Sequence, residues 1–339
     1  MEFTAGGRLE VRITPADVGK RVSVRRLDDG SRTDGKFTDT VGVLTSWNDG
    51  VVLITRRDGE RVRIVENTLV AGKVVPAAPA RRRGPAANYA ELARVTARAW
   101  PPVESEPLGE WRLRASGGFT RRANSVLPTG DPGRPLDEAL AYVRRWYGER
   151  ELPAYIQAAT GAEGTQELLC AELEERGWRR EVSSQIHVGA LAPLGDRDVP
   201  TAGAEKVRLA RSFDEAWLRL YNRSGVPGPH VLQVLAGGPS VWFASVPGAS
   251  TDAGPAAIGR CVVDGRWAGF MAVEVDPAHR RRGLATAVMA ALARQALAEG
   301  ASAAWLQVED GNEGARALYG GLGFAAHHTY HHYRYPSAR

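Results

Sequence analysis

The stretch GFMAVEV-DPAHRRRGLA-TAVMAALARQALAEG, residues 269–300, restricts the possible folds more than any other part of the chain. A run of strand formers passes through Asp276-Pro277-Ala278-His279 and Arg280-Arg281-Arg282-Gly283-Leu284-Ala285 into a segment where Leu284, Val288, Ala291, Leu292 and Leu297 recur near helical spacing. A strand that feeds a helix through a basic, glycine-containing turn is an anion site. The unpaired N–H groups of the first helical turn converge, the helix dipole adds positive potential, and Gly283 lets a ligand reach the backbone with no Cβ in the way. Neighbouring arginines add charge-assisted bonds to phosphate, and a pyrophosphate suits such a turn.

From residue 89 onward helices and strands alternate, which indicates a mixed α/β architecture. Two stretches there follow the same order. With Ser125-Val126-Leu127-Pro128 set against Glu274-Val275-Asp276-Pro277, Tyr155-Ile156-Gln157-Ala158 falls over Trp305-Leu306-Gln307-Val308 with a shift of one residue. Each copy then has a helix ending in a Gly-aromatic pair, Gly177-Trp178 or Gly323-Phe324, and a closing strand, VSSQIHVGAL or HHTYHHYRY. This order reads as a divergent internal duplication. Residues 1–76 differ in kind: RVSVRRL, TVGVLTSW, VVLITRR, RVRIVE and TLVAGKVV are short β segments, and DDG, NDG and RDG mark hairpins because glycine takes the positive φ of a tight turn. A small five-stranded all-β barrel follows, resembling an SH3-like barrel in outline. Residues 77–88, rich in Pro, Ala and Arg, read as a linker.

At 339 residues, 43% hydrophobic and 24% charged, the chain is a multidomain globular protein. No apolar run reaches membrane-spanning length, and MEFTAGGRLE has no secretory pattern, so no membrane partner and a cytoplasmic location are expected. Cys170 and Cys261 stand far apart, without a C-x-x-C partner, and read as core residues. The net charge of +5 is carried by residues 1–88, which gives that module an attraction for polyanions and a weak nucleic-acid or nucleoid-protein contact as an expectation.

Arg280-x-x-Gly283-x-Ala285 resembles the acyl-CoA signature of the GCN5-related N-acetyltransferase (GNAT) superfamily. The rest of the set follows in order: Val275-x-Pro277 before it, an amphipathic helix after it, then Leu306-Gln307-Val308 and Asn312-x-x-Ala315-x-x-Leu318-Tyr319-x-x-x-Gly323-Phe324. The resemblance implies a mixed-sheet α/β (α+β) GNAT fold of tandem type, preceded by the SH3-like barrel, as in actinobacterial proteins labelled histone or protein acetyltransferases. A degenerate half would span 89–200 and an active half 201–339. It implies acetyl-CoA as acyl donor. The strand holding Val273, Glu274 and Val275 would splay and bond the pantetheine arm, and the amides of 281–286 would hold the pyrophosphate. Cofactor contacts are thus expected at Val273, Val275, Arg280, Arg281, Arg282, Gly283, Leu284, Ala285, Thr286, Asn312, Ala315 and Tyr319, and the Tyr319 phenol would protonate the leaving thiolate.

An attacking amine of pKa about 10.4 must first lose a proton. Where some relatives have a glutamate base this chain reads Gln307, which leaves Glu274 and Glu309; Glu274 is the choice, with an N–H near Val275 for the oxyanion. The expected activity is direct N-acetyl transfer to a primary amine, on a small molecule or on a protein lysine or N-terminus. The alternative is a non-catalytic acyl-CoA sensor or scaffold. His327, His328, His331 and His332 on the last strand are expected to line the acceptor site or relay protons, and no metal site is assigned. In the first copy Asp131-Pro132-Gly133-Arg134-Pro135-Leu136 replaces the basic turn; two prolines remove amides and an aspartate opposes phosphate, so CoA is not expected there. Leu173 stands in place of the tyrosine. WRLRASGGFTRRANSV reads as two strands about a Gly-Gly turn, whose Arg122, Asn124 and Ser125 are either ordinary hairpin polarity, the favoured reading, or acceptor contacts.

Overall fold

The computed structural model describes residues 10–27, 37–76, 84–197, 207–221, 228–248 and 254–336. The segments rich in β-branched residues become β1 (Arg21–Leu27), β2 (Phe37–Asn48), β3 (Val51–Thr55), β4 (Arg61–Val65) and β5 (Leu69–Val74), an antiparallel sheet in the order β4-β3-β2-β1-β5. Asp49 and Gly50 both take positive φ (51° and 70°) between the paired residues Asn48 and Val51, the two-residue hairpin that the NDG triplet requires. The DDG triplet and residues 77–83 of the linker lie outside the described residues. Ile13, Val22, Val24, Leu44, Val52, Ile54 and Ile64 form the core of this module. Much of its positive charge is neutralised in place: Arg12 meets Glu10, Lys20 meets Asp17, Arg25 meets Asp39, Arg56 meets Glu60, and Arg61 reaches Glu174 and Glu175 of the following half.

Past the linker come α1 (Tyr89–Ala99), β6 (Glu104–Leu108), β7 (Trp111–Ala115), β8 (Leu127–Pro128), α2 (Leu136–Gly148), β9 (Tyr155–Thr160), α3 (Glu167–Glu175), β10 (Arg179–Ala190) and α4 (Ala192–Gly195). The second half supplies β11 (Arg208–Ala210), α5 (Glu215–Tyr221), α6 (Pro229–Ala236), β12 (Ser240–Pro247), β13 (Pro255–Asp264), β14 (Trp267–Val275), α7 (Leu284–Ala298), β15 (Ala303–Glu309), α8 (Glu313–Gly321) and β16 (Ala325–Arg334). One sheet of eight strands, β11-β12-β13-β14-β15-β10-β16-β9, joins the halves, while β6-β7-β8 forms a sheet of three. The two closing strands are exchanged across the centre: β10 pairs with β15 of the other half, β16 pairs with β9, and the two pair with each other.

The halves share one local device, a parallel contact that brings the strand before a helix beside the strand after it. In the second half β14 pairs with β15, and in the first a single bridge joins Val126 to Ile156. From Phe270, the last residue of β14 paired with β15, the chain takes fourteen residues to reach α7 at Leu284; from Val126 it takes ten to reach α2 at Leu136. The first half therefore lacks the strand extension that the second half has. Its expected hairpin is also different: β8 is two residues long, and the Gly-Gly turn is knitted by Asn124, whose Oδ1 accepts from Ser116 and Gly118 N–H and whose Nδ2 donates to Phe119 and Thr120 carbonyls. Asn124 and Ser125 are buried, which agrees with ordinary hairpin polarity and not with acceptor contact. Among the described residues no helix is long and apolar enough to cross a membrane. Both cysteines are buried and free.

Candidate active site

β14 and β15 run parallel from Trp267 and Ala303 to Phe270 and Leu306, and then part. Gly269 permits the close approach, since a Cβ there would come within 2.2 Å of the Trp305 indole on the neighbouring strand. Beyond the fork β14 stays attached only to β13, through an irregularity that places Ala272 at φ 51° and resumes pairing at Glu274 and Val275. Residues 272–275 are half-buried, with one backbone edge no longer engaged by β15.

The extension ends at Asp276, whose carboxylate accepts from Ala278 N–H at 2.9 Å and contacts His279 Nδ1. These bonds, His279 first, hold the carboxyl below its ordinary range. Arg281 (φ 60°) and Gly283 (φ 75°) are both left-handed, and α7 starts at once with the buried Leu284. The first amides of α7 have no intrahelical acceptor. A Cβ on Gly283 would meet nothing within 4 Å, so the space above the turn is open. Arg280, Arg281 and Arg282 are exposed around it; the Arg280 N–H donates to the Pro277 carbonyl and its charge is felt by Asp276, but among the described residues neither the Arg280 nor the Arg281 side chain makes a hydrogen bond or ion pair. An anion of pyrophosphate size fits this arrangement of open space, free amides and unpaired guanidinium groups.

Across the fork stands α8. Its N-cap is Asn312, whose Oδ1 accepts from Ala315 N–H at 3.0 Å and whose amide nitrogen is left to donate to a ligand. Val273, Val275, Ala315, Leu318 and Tyr319 all pack on the same core cluster, so both sides of the opening rest on one apolar base. The Tyr319 ring lies edge-on to Phe324 at 6.2 Å, and Phe324 is edge-on to Phe270 at 6.4 Å, which seats the phenol at the fork. Burial first, then the charge of Glu274, pushes its pKa up to about 12. The charge of one expected catalytic residue thus reaches the other. Glu309 is exposed at the far end of β15 and takes no part in this group. Gln307 points elsewhere: its Oε1 accepts from the Trp100 indole N–H at 3.1 Å.

Three of the four histidines of β16 lie inside the molecule and His327 is half-buried, so the strand does not present them together as an acceptor surface. His328, His331 and His332 are buried. His331 is held between Thr160 Oγ1 (3.0 Å) and Ser183 Oγ (2.8 Å), while His327 contacts His328 and the Ala87 carbonyl. Among the described residues no group of three or more His, Cys, Asp or Glu could hold a metal ion. Residues not singled out from the sequence prove central: Ala272 shapes the fork, Trp100 occupies Gln307, and Arg260 is wholly buried behind it. A lone arginine in the apolar run PAAIGRCVVD was the available signal for the last of these.

Two solved structures share this build over most of the chain. One is a GCN5-related N-acetyltransferase from Kribbella flavida (TM-score 0.54, 19% identity, 75% of this chain and 98% of that one). The other is a tandem GNAT protein from the clavulanic acid biosynthesis pathway (TM-score 0.51, 13% identity, 76% and 91%). With the forked parallel pair and the arginine-glycine turn, they define the fold, which this chain shares with those two acetyltransferase-type structures. Residues 86–335 match the family described as "Probable histone acetyltransferase Rv0428c C-terminal", and the chain belongs to that family. It is 30% identical over 329 residues, 95% of this chain and 96% of the relative, to the probable histone acetyltransferase Rv0428c of Mycobacterium tuberculosis. It is 25% identical over 256 residues, 72% of this chain and 97% of the relative, to the uncharacterized N-acetyltransferase YobR of Bacillus subtilis.

Proposed function

We infer that the chain is an acetyl-CoA-dependent N-acetyltransferase in which the second half, 201–339, performs the transfer, the half at 89–200 is degenerate, and residues 1–76 are an SH3-like barrel. The observation that carries this reading is the fork past Phe270, which opens directly onto the turn at Arg281 and Gly283 with Tyr319 in reach of the Glu274 charge. The acceptor is a primary amine, and the description of the mycobacterial relative favours a lysine or N-terminus of a protein over a small molecule. With Arg12, Lys20, Arg25, Arg56 and Arg61 of the barrel already paired to acids, the reading places acceptor recognition on the two halves and not on a nucleic-acid contact.

When bound, acetyl-CoA supplies an acyl thioester with a good leaving group. The unengaged edge of Val273 and Val275 would bond its pantetheine arm. The amides of 281–286, with Arg280, Arg281 and Arg282, would hold its phosphates, and the Asn312 Nδ2 and the Ala315 face would flank it. Glu274 would take the proton of the acceptor amine as the C–N bond forms. An N–H near Val275 would meet the charge that builds on the acyl oxygen. Tyr319, whose pKa of about 12 keeps it protonated at neutral pH, would give its proton to sulfur as the C–S bond breaks.

Tyr319→Phe keeps the ring against Phe324 and removes only the acid. Thiol release from acetyl-CoA is expected to fall by about 100-fold in kcat with little change in KM for acetyl-CoA; an unchanged kcat would remove Tyr319 from the reaction. Gly283→Val forces a β-branched residue into a left-handed position and sets methyl groups over the turn, so acetyl-CoA affinity by calorimetry is expected to fall by roughly tenfold or more. Wild-type affinity in the variant would show that the phosphates bind elsewhere. One observation favours a second reading: Gln307 stands where some relatives carry the base and is occupied by Trp100. A sensor would bind acetyl-CoA yet release no thiol with any amine or protein acceptor.

A further inference from the structure

A cavity of about 1170 Å³ lies in the first half, away from the turn at Gly283. It is bounded by α1, β6, β7, β8, residues 129–134, the first residue of α2 and the β9–α3 junction, so it takes in the segment that stands in the first half where the turn at Gly283 stands in the second. The phosphate-binding parts are missing there. Pro132 and Pro135 have no amide hydrogen, the Asp131 N–H is taken by Glu110 Oε2 at 2.7 Å, and the Gly133 N–H by Asp131 Oδ1 at 2.6 Å. The cavity is walled instead by apolar groups, among them Pro102, Trp111, Leu127, Pro128 and Leu169.

Arg114, from β7, lines this cavity and is only 3% exposed. Its Nε donates to the Ser125 carbonyl (2.9 Å), and its Nη2 to Ser125 Oγ (2.9 Å) and Gln157 Oε1 (3.0 Å). Among the described residues no carboxylate pairs with it, and Nη1 donates to nothing. Burial lowers its pKa to about 10, so the guanidinium is still charged at pH 7. A buried charge without a counter-charge is costly, and an anion entering the cavity would relieve that cost. Arg94, Arg112 and Arg134 stand exposed among the lining residues. The lining carboxylates, Glu110 and Asp131, each accept from a backbone amide but keep their charge; with Arg98 paired to Asp264, the four arginines Arg94, Arg112, Arg114 and Arg134 still outnumber them.

We propose that this cavity is a second ligand site, separate from the acyl-donor site, for a small organic carboxylate with an apolar body, its carboxylate on Arg114 Nη1 and its body against the proline and leucine walls. A volume of this order accommodates a drug-sized molecule.

The test uses the full-length chain and calorimetric titration with octanoate and indole-3-acetate, each beside its neutral amide and beside phenyl phosphate. The carboxylates are expected to bind on the order of tenfold more tightly than the amides, with saturating CoA leaving their affinity unchanged. The exposed double variant Arg94→Ala/Arg112→Ala, which disturbs no buried group, is expected to weaken them a few-fold. Arg114→Gln is expected to abolish the preference for carboxylate over amide; if that variant does not fold, a larger chemical-shift perturbation of the Arg114 guanidinium by octanoate than by octanamide on the wild-type chain reports the same contact. Equal binding of acid and amide, no binding at millimolar concentration, displacement by CoA, or a stronger response to phenyl phosphate would each overturn the proposal.

Discussion

Acidification from pH 7 to about 4.5 is expected to unfold the chain, because its buried imidazoles must take up protons that the native state refuses. Burial is the first cause in each case. It lowers the pKa of His328 and of His331 to about 3 and of His187 to about 4, and holds His332 well below 6.5. Nearby cations act in the same direction: His327 and Arg57 on His328, Arg180 on His331, Arg316 on His187, and Arg122, Arg114 and Arg121 on His332. Between the unfolded value near 6.5 and these folded values the unfolded chain binds more protons, so stability rises with pH across the window and is lost as pH falls through it. At pH 4.5 His328 and His331 would each account for about 3 kcal/mol, and a protein of ordinary stability has only about 5–15 kcal/mol in total. Urea midpoints followed by tryptophan fluorescence should fall steeply between pH 7 and 5. A midpoint that holds constant over that interval would mean that the native imidazoles are protonated, and the core of β16 is then misread.

The same strand shows where sequence reasoning stops. HHTYHHYRY alternates, so its two faces were legible, but alternation does not say what lies against each face. The exchange of β10 and β16 puts other strands on both flanks of β16, and of the histidines that read as an acceptor lining or a proton relay, His328, His331 and His332 are interior. Pairing between distant strands is set by tertiary packing, which leaves no local trace. The five β segments of the first module were legible because Asp-Gly turns act locally. The turn at Gly283 was legible for the same reason: three arginines, a glycine and the start of a helix lie within a few residues. The fork is a different matter. Its cause includes Ala272 at φ 51°, a conformation that an alanine in an apolar strand does not announce. The first copy misled through its spacing, since superposing the prolines hides the four residues of strand it lacks before α2.

Arg260→Met is expected to destabilise the chain by about 3–5 kcal/mol, a drop on the order of 10 °C in Tm. Arg260 has no exposed surface, and among the described residues it has no carboxylate partner. Its Nε donates to the Leu235 carbonyl (2.7 Å), Nη1 to the Ala99 carbonyl (3.0 Å) and to Met271 Sδ, and Nη2 to the Gly237 carbonyl (2.6 Å). Those carbonyls close α1 and α6, so one guanidinium meets the negative ends of two helix dipoles and satisfies acceptors that the helices cannot. Burial lowers its pKa only to about 10, which leaves the charge intact at pH 7. Methionine fills comparable space but strands three buried acceptors, each at a cost of about 1–3 kcal/mol. Lysine would not rescue it, because one ammonium cannot reach three divergent carbonyls. The loss should spread to the site: the Arg260 guanidinium lies 5.2 Å from the Trp100 ring, and Trp100 bonds Gln307 on the strand that forms one side of the fork. Hydrogen exchange should therefore quicken at the ends of α1 and α6 and along β15 while the first module is unchanged. Wild-type Tm and protection in Arg260→Met would show that the two helix ends are held by packing alone, and that the fork does not depend on the charge behind it.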